Sequence, residues 1–304
     1  MHDSPASFRR FGLTSAILTL LFVWPLYQWI SFALGSYLYS HVILIPAVTG
    51  WLIWTRRDQT RPDEHRAAPI PAVLLVLLGL AALAYGLFAR PDPVLEPHHR
   101  LTWTIAAYVL GLGSAAFACL GSRFVRVHAA ACMFLVFMIP MPGWLERGTE
   151  IALQRGSAEA ADFLFGLSGL PYLRDGQVFR LPSITMEIAQ ECSGIHSSLV
   201  LFIVSIVAGQ MFLRPGWRRW VLTLAVIPLA LVRNGFRVLT LGWLCEEIGP
   251  HMIHHWIHHR GGPVFFALSL IPFFLLLFAL HRWGGKPPPD THPNLASRAD
   301  GLAG

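Results

Sequence analysis

Six long segments of the chain contain no Asp, Glu, Lys or Arg, and this absence of charge limits the possible folds more than any other feature. Charged residues make up 13% of the chain and hydrophobic residues 54%, whereas a soluble domain carries about 25% charged residues. This composition argues against a soluble globular enzyme and against a disordered chain. The uncharged segments are 11–55, 67–89, 101–122, 127–145, 192–213 and 261–281.

Each uncharged segment is long enough to cross a bilayer, since a transmembrane helix needs about 20 apolar residues. The pattern predicts an all-α polytopic membrane protein with eight transmembrane helices, in a membrane domain that covers residues 12–281. No internal repeat is visible, which argues against a transporter built from inverted repeats. The predicted spans are 12–34, 40–55, 68–89, 102–121, 127–142, 194–213, 219–245 and 262–281.

The distribution of arginine predicts the orientation of these spans. If the N-terminus is cytoplasmic, the inner loops carry nine Arg and the short outer loops carry only Arg90, Arg100 and Arg260. Because cytoplasmic loops are enriched in Lys and Arg, we expect both termini in the cytoplasm. Residues 1–11 form a short N-terminus ahead of an uncleaved signal anchor, and the Pro-rich tail 282–304 is expected to be disordered.

The loop 143–191 is the longest segment on the predicted outer side. Its first part, 144–169, has apolar residues at helical spacing, which predicts an amphipathic helix along the outer membrane surface. In its second part, 172–189, the turn sequence Asp175-Gly176 lies among residues that favour strands and predicts a short β-hairpin. Together the two parts predict a structured extracytoplasmic cap.

Cys192 directly precedes the sixth predicted span. Backbone N–H groups and the dipole at a helix N-terminus stabilise a thiolate, so this position favours a nucleophilic cysteine. A small residue at a helix cap explains the position equally well. The other cysteines, Cys119, Cys132 and Cys245, lie within or near the ends of predicted spans, where a lone cysteine usually behaves as a small hydrophobic residue.

The seventh predicted span contains the sequence Arg233-Asn234-Gly235-Phe236-Arg237. Charged residues inside a span are costly to desolvate and mark functional sites by default. Arg233 and Arg237 are four residues apart and share one helical face. Arg237 falls in the outer half of the span, and a guanidinium that snorkels to the membrane surface is the alternative interpretation.

The last outer loop carries a cluster of histidines whose spacing puts several of them on one helical face. A metal site, a solvated polar face and a single general base are the competing interpretations. No HExxH sequence and no cysteine pair accompanies the cluster, so the metal site has the least support. The histidines are His251, His254, His255, His258 and His259.

The predicted topology places all three features at the outer face of the membrane, although they come from distant parts of the chain. A cysteine at a helix start, an arginine in the outer part of a span and a histidine before the next span can form the site of a thiol enzyme. Their convergence is stronger support for a catalytic site than any of the three residues alone.

These residues resemble the exosortase/archaeosortase transpeptidases. The resemblance covers roughly residues 12–281, and it includes the order, the spacing and the membrane placement of the motifs. Family members commonly have Ala where this chain has Glu191. The similar sequences are Glu191-Cys192-Ser193-Gly194-Ile195, Asn234-Gly235-Phe236-Arg237-Val238, His258 followed by Gly262 and Phe266, and Ile139-Pro140-Met141-Pro142.

The resemblance implies that Cys192 is the nucleophile, Arg237 its partner and His258 the acid/base. His196, four residues after Cys192, is a rival histidine that the resemblance does not support. The residues that would support the site, including the neighbouring histidine that competes for the acid/base role, are Glu191, Ser193, Asn234, Arg233 and His259.

The resemblance also implies a reaction and its partners. The expected enzyme is a cysteine peptidase/transpeptidase that cleaves the C-terminal sorting signal of exported proteins through a thioester, without a cofactor. Such signals combine a short motif, Pro-Glu-Pro-like in bacterial relatives, with a membrane helix and a basic tail. The expected location is the cytoplasmic membrane, with the site facing outward and no role for nucleic acid.

Functions of other classes remain compatible with the residues. A polytopic transporter would use Arg233 and Arg237 to contact an anionic substrate. A haem or metal protein would use the histidine cluster, and a structural assembly factor would need no catalytic residue at all. A transporter differs from a thiol enzyme in that it should barely depend on Cys192.

Overall fold

The computed structural model describes residues 4–36, 38–56, 67–188, 194–251 and 262–283. The chain divides into two compact units, and the boundary falls within one long helix, after Glu159. The first unit holds the chain up to that residue together with 174–179 and 186–196, and the second unit holds the remainder.

The first unit is built from apolar helices. Most of the apolar stretches begin or end at Pro, Gly or a polar residue, which is why the helices end there. The helices are α1 (Ser4–Leu21), α2 (Val23–Gly35), α3 (Ile45–Thr55), α4 (Pro69–Phe88), α5 (His99–Cys119), α6 (Gly121–Val127) and α7 (Ala129–Phe134), with 3-10 turns at Ser40–Leu44 and Leu135–Met138.

Helix α5 lies at the centre of the first unit, where it packs along α4 and also contacts α1 and α2. The approach of α4 is close, because a Cβ atom at Gly86 would lie 2.8 Å from Cβ of Trp103. Ser114 on α5 donates a hydrogen bond to the carbonyl of Ala72 at 2.9 Å. Small residues and interhelical hydrogen bonds of this kind hold membrane helices together, since lipid offers no hydrophobic driving force between them.

The first unit contains two sharp bends, one within the predicted span 12–34 and one at the start of the predicted span 127–142. Helices α1 and α2 meet at an angle of 73°, and α6 meets the segment Ala129–Met138 at 75°. Trp29 of α2 is buried and donates from Nε1 to the carbonyl of Met138 at 2.8 Å, so the two bent segments are joined. Hydropathy measures the length of an apolar stretch and not its direction, so the sequence predicts neither bend.

The described residues do not confirm the predicted count of eight spans. Within the described residues five helices are long and apolar enough to cross a membrane, or up to seven if each bent pair is one span. The predicted span 40–55 consists of a 3-10 turn of five residues and eleven residues of α-helix. Eleven helical residues rise about 17 Å, well short of a hydrocarbon core of about 30 Å. The all-α polytopic class is confirmed, and the count of eight is not.

The predicted amphipathic helix at 144–169 corresponds to α8 (Gly143–Ser168). The side chains on its buried face are mostly small or polar, and large apolar side chains lie on its exposed face. Most of the apolar residues that predict this helix therefore do not pack in the interior of the protein. The buried residues are Gln154, Ser157, Ala158, Ala161 and Phe165, and the exposed apolar residues include Trp144, Leu145, Ile151, Phe163 and Leu167.

The first turn of α8 is held by two acidic side chains. The carboxylate of Glu96 accepts hydrogen bonds from the backbone N–H groups of Gly143 at 2.9 Å and Trp144 at 3.1 Å. A carboxylate in this position satisfies free N–H groups and opposes the positive end of the helix dipole. The hydroxyl of Tyr39 donates to Glu146 at 2.8 Å, and burial together with this carboxylate raises the pKa of Tyr39.

A small sheet follows α8. Its strands β1 (Leu173–Asp175), β2 (Val178–Arg180) and β3 (Thr185–Glu187) pair in the order β1-β2-β3. The chain turns between β1 and β2 at Gly176, whose φ of 61° is in the region that favours glycine. The sheet therefore has one strand more than the predicted hairpin at 172–189.

The second unit contains α9 (Ile195–Phe212), α10 (Trp217–Glu247) and α11 (Gly262–Arg282). Their shared core is apolar and includes Leu201, Leu222, Val226 and Phe273. Arg219 fastens the α9–α10 connection, since its guanidinium donates to the carbonyl of Leu213 and, at 2.5 Å, to Oε1 of Gln210.

Removal of the Glu96 carboxylate should weaken the start of α8. We expect Glu96→Ala to lower the free energy of unfolding by about 1–2 kcal/mol, the usual contribution of a helix N-terminal cap. Thermal unfolding of the purified protein in detergent measures this change. Glu159→Ala, which removes an exposed carboxylate in the middle of α8 that pairs with Arg174, is the control and should have the smaller effect, because an exposed ion pair contributes little to stability. An equal decrease in the free energy of unfolding for both variants would contradict the capping role of Glu96.

The orientation of the protein in the membrane remains a prediction, and cysteine labelling tests it. A cysteine at Arg155, which is exposed on α8, should react with a membrane-impermeant maleimide in intact cells. A cysteine at Asp290, in the predicted cytoplasmic tail, should react only after the membrane is opened. The unmodified protein supplies the background from the native cysteines, and the opposite pattern would reverse the topology.

Candidate active site

The predicted site residues divide into those that the structure describes and those that it does not. Three of them lie on α10: Arg233, Asn234 and Arg237. The other five lie outside the described residues: Glu191, Cys192, Ser193, His258 and His259. The geometry of the candidate site is therefore the geometry of α10 and of the helices that it contacts.

Arg233 is buried in the protein, with 8% of its surface exposed, and does not snorkel to the surface. Its Nη2 donates to the hydroxyl of Ser198, in the first turn of α9, at 3.3 Å. The adjacent Asn234 is also buried, at 3% exposure. Burial of a guanidinium requires hydrogen-bond acceptors from the protein, so this contact fixes α10 against α9.

Gly235 is the point at which α10 meets α8. A Cβ atom at this position would lie 2.8 Å from the backbone carbonyl carbon of Ala160 and 2.8 Å from the backbone nitrogen of Ala161. Only glycine permits so close an approach of two helix backbones. The sequence places Gly235 in a motif but assigns it no role, and small residues on both α8 and α10 were the signal that could have indicated the contact.

Phe236 connects α10 to α11. Its ring lies 6.2 Å from the ring of Phe265 in an edge-to-face arrangement, with 70° between the planes. Phe265 belongs to the first turn of α11. Three of four consecutive residues on α10 thus contact three different helices, which makes this part of α10 the centre of the second unit.

Two polar contacts show that α9 and α10 run antiparallel. Arg219 near the start of α10 contacts Leu213 at the end of α9, and Arg233 contacts Ser198 near the start of α9. Arg237 lies one turn beyond Arg233 and half-buried, toward the end of α10 that accompanies the start of α9.

The C-terminal part of α10 contacts the loop between β2 and β3. The backbone N–H and the hydroxyl of Ser183 donate to the carboxylate of Glu246, at 2.9 Å and 2.6 Å. The neighbouring Cys245 is fully buried, whereas Cys119 and Cys132 are half-buried. Full burial makes Cys245 inaccessible to a substrate, in agreement with the prediction that this cysteine is not the nucleophile.

His196, the rival histidine, lies in the first turn of α9. Its Nδ1 is 3.3 Å from the carbonyl oxygen of Leu38, and its ring centre is 6.2 Å from that of His41. The Leu38 carbonyl orients the imidazole when Nδ1 carries the proton. Among the residues that the structure describes, no group of three His, Cys, Asp or Glu side chains could hold a metal ion.

Comparison with known protein families identifies the family of the chain. The model of the transmembrane exosortase family (Exosortase_EpsH) matches residues 29–275. The chain belongs to this family. The match covers the described helices from α3 to α10 and most of α11, and it confirms the resemblance that the sequence motifs indicate. No curated protein and no solved structure matches the chain.

The helix contact at Gly235 predicts different outcomes for two glycine substitutions. Gly235→Ala should force α8 and α10 apart and lower the amount of folded protein, because a Cβ atom would overlap backbone atoms. Gly209→Ala on α9 is the matched control, since its Cβ atom would meet the Arg219 side chain at an ordinary 3.7 Å. Alanine stabilises a helix interior by about 1 kcal/mol relative to glycine, so this control should unfold at the same or a higher temperature.

Thermal unfolding and membrane expression levels of the two variants measure the difference. If Gly235→Ala matched the wild-type protein in both, the close approach of α8 and α10 would be refuted.

Proposed function

We propose that this exosortase is a membrane-embedded cysteine peptidase/transpeptidase that cleaves the C-terminal sorting signal of exported proteins. In this proposal Cys192 is the nucleophile, Arg237 stabilises charge, and His258 is the acid/base. The reaction takes place at the outer face of the cytoplasmic membrane, with both termini of the enzyme in the cytoplasm and no cofactor.

The contacts of α10 with the first turns of α9 and α11 support this proposal. Arg233 contacts the first turn of α9, and Phe236 contacts the first turn of α11. Cys192 precedes α9 by three residues in the sequence, and His258 precedes α11 by four. The predicted cysteine and histidine thus lead directly into the two helices that the arginine motif touches.

The proposed chemistry follows from the properties of these three groups. The Cys192 thiolate attacks the backbone carbonyl of the sorting signal and forms a tetrahedral oxyanion. The C–N bond then breaks, and the departing amine takes a proton from His258, which leaves a thioester on Cys192. An amine or water, deprotonated by His258, attacks the thioester and releases the thiolate. Arg237 stabilises the thiolate or the oxyanion by directed hydrogen bonds.

The proposed substrate matches the membrane setting of the site. A sorting signal with a membrane helix would lie in the same bilayer as the enzyme, with its basic tail on the cytoplasmic side and its short motif outside. The scissile bond then lies just outside the bilayer, where the predicted topology places the start of α9. The proposed recognition motif is Pro-Glu-Pro-like.

Co-expression with a tagged exported protein that carries such a signal tests the proposal. The wild-type enzyme should convert the substrate to a shorter form, and Cys192→Ala should leave it at full length. Cys245→Ala, which changes a buried cysteine, is the matched control and should process the substrate. Normal processing by Cys192→Ala would refute the thiol mechanism, whereas an absence of processing by the wild-type protein would favour a transporter of an anionic substrate.

Arg237 and Arg233 should respond differently to lysine. Lysine keeps the charge but loses the planar fork of donors, so Arg237→Lys should lower the processing rate about 10²–10³-fold. Arg233→Lys, one turn deeper and next to Ser198, should have a much smaller effect on the rate for the same amount of folded protein. Processing rates normalised to membrane levels measure both. Full activity of Arg237→Lys would reduce this arginine to a packing residue.

A further inference from the structure

The first unit contains a cavity of about 810 Å³ that opens onto the surface of the protein. Its wall is formed by α2, by the connection between α4 and α5, and by the first turn of α5. This volume is in the range of about 300–1,000 Å³ that is typical of small-molecule sites. None of the described residues of the proposed catalytic site, Arg233, Asn234 and Arg237, lines the cavity.

The charged side chains on the cavity wall are mostly basic. Arg90 and Arg100 both line it, and both are exposed. Among the described residues of the wall the one carboxylate is that of Glu96, which accepts hydrogen bonds from Gly143 and Trp144 at the start of α8. Two guanidinium groups outweigh this single carboxylate, so the cavity has a positive potential toward an incoming ligand.

The position of these arginines in the sequence is unusual for a membrane protein. The short loops on the predicted outer side hold only three arginines, and two of the three, Arg90 and Arg100, line this one cavity. Basic residues are disfavoured in outer loops, so their placement at one site calls for a local reason. An anionic ligand supplies that reason.

Aromatic rings form the other side of the cavity. Trp24 and Tyr27 on α2 line it, and their rings stack with centres 5.7 Å apart and planes 30° apart. Both side chains are more than half exposed, and exposed Trp and Tyr are typical of the membrane–water interface. The exposed apolar face of α2 continues from them through Ile30 and Leu34. A ligand in the cavity therefore meets cations at one end and an apolar surface at the other.

We propose that this cavity binds an anionic phospholipid. The phosphate lies between Arg90 and Arg100, whose N–H groups donate to its oxygens, and the acyl chains lie against Trp24 and Tyr27 on α2. Free phosphate shares the headgroup chemistry but lacks the apolar part. The proposal is independent of the peptidase reaction, because none of its residues belongs to that site.

Native mass spectrometry of the full-length protein in detergent tests this inference. The probes are phosphatidylglycerol, phosphatidylcholine, diacylglycerol and inorganic phosphate, each added in a concentration series. The double substitution Arg90→Gln with Arg100→Gln removes both charges from the cavity. Arg155→Gln removes one exposed charge from α8, away from the cavity, and is the matched control.

We expect the wild-type protein to retain one phosphatidylglycerol more tightly than phosphatidylcholine and to retain no diacylglycerol. Each arginine near an anionic lipid contributes about a factor of five in affinity, so the double substitution should weaken phosphatidylglycerol binding about thirtyfold. Arg155→Gln should leave it unchanged. If the double variant fails to accumulate, Arg90→Gln alone should show about a fivefold loss.

Several results would overturn the proposal. Equal retention of phosphatidylcholine and phosphatidylglycerol would remove the role of the charge. Displacement of phosphatidylglycerol by inorganic phosphate at equal concentration would show that the cavity takes free phosphate instead. An equal loss of phosphatidylglycerol binding in Arg155→Gln would show a general effect of surface charge. Sorting-signal processing is measured separately, so a failure here and a failure of the peptidase proposal are distinguishable.

Discussion

A guanidinium buried among membrane helices has no water to bond with, and the second unit is arranged around this constraint at Arg233. Its contact with Ser198 sets the level at which α10 lies against α9. The contact between Arg219 and the end of α9 agrees with the same antiparallel arrangement. A charge that is costly in lipid thus helps to position the two helices.

Close backbone packing supplies the second constraint. Gly235 brings α10 against Ala160 and Ala161 of α8, and Gly86 does the same for α4 and α5 in the first unit. Apolar side chains gain little by leaving lipid for a helix interface, so van der Waals contact between backbones has to supply the attraction. Small residues at the crossing points make that contact possible. Many of the large apolar residues are therefore on the outside of this protein.

The proposed chemistry and the proposed lipid site both depend on the difference between the hydrated surface of the membrane and its hydrocarbon core. Hydrolysis or acyl transfer needs water, an amine and titratable groups, and these are available at helix ends and not in the hydrocarbon core. Cys192 and His258 precede helices in the sequence, and Arg90 and Arg100 lie in a connection and at a helix start. Both proposals therefore place function near the positions where helices begin.

The sequence by itself determined the class of fold, the family and approximate bounds of the long straight helices. Uncharged stretches at 68–89, 102–121, 194–213 and 262–281 correspond to α4, α5, α9 and α11, because a membrane span is specified by local composition. The motifs likewise indicated the family, and the family match over residues 29–275 confirms it. The relation of Arg237 to Cys192 and His258 stays a prediction.

Only the tertiary structure decided the bends, the packing faces and the contacts of the motif. The bends of 73° and 75° leave hydropathy unchanged, so the sequence could not indicate them. The buried face of α8 is made largely of small residues. These residues favour close packing only when a partner helix, remote in sequence, lies against them. Composition is a property of each segment alone, whereas the contact between Gly235 and Ala160 exists only once two distant segments meet.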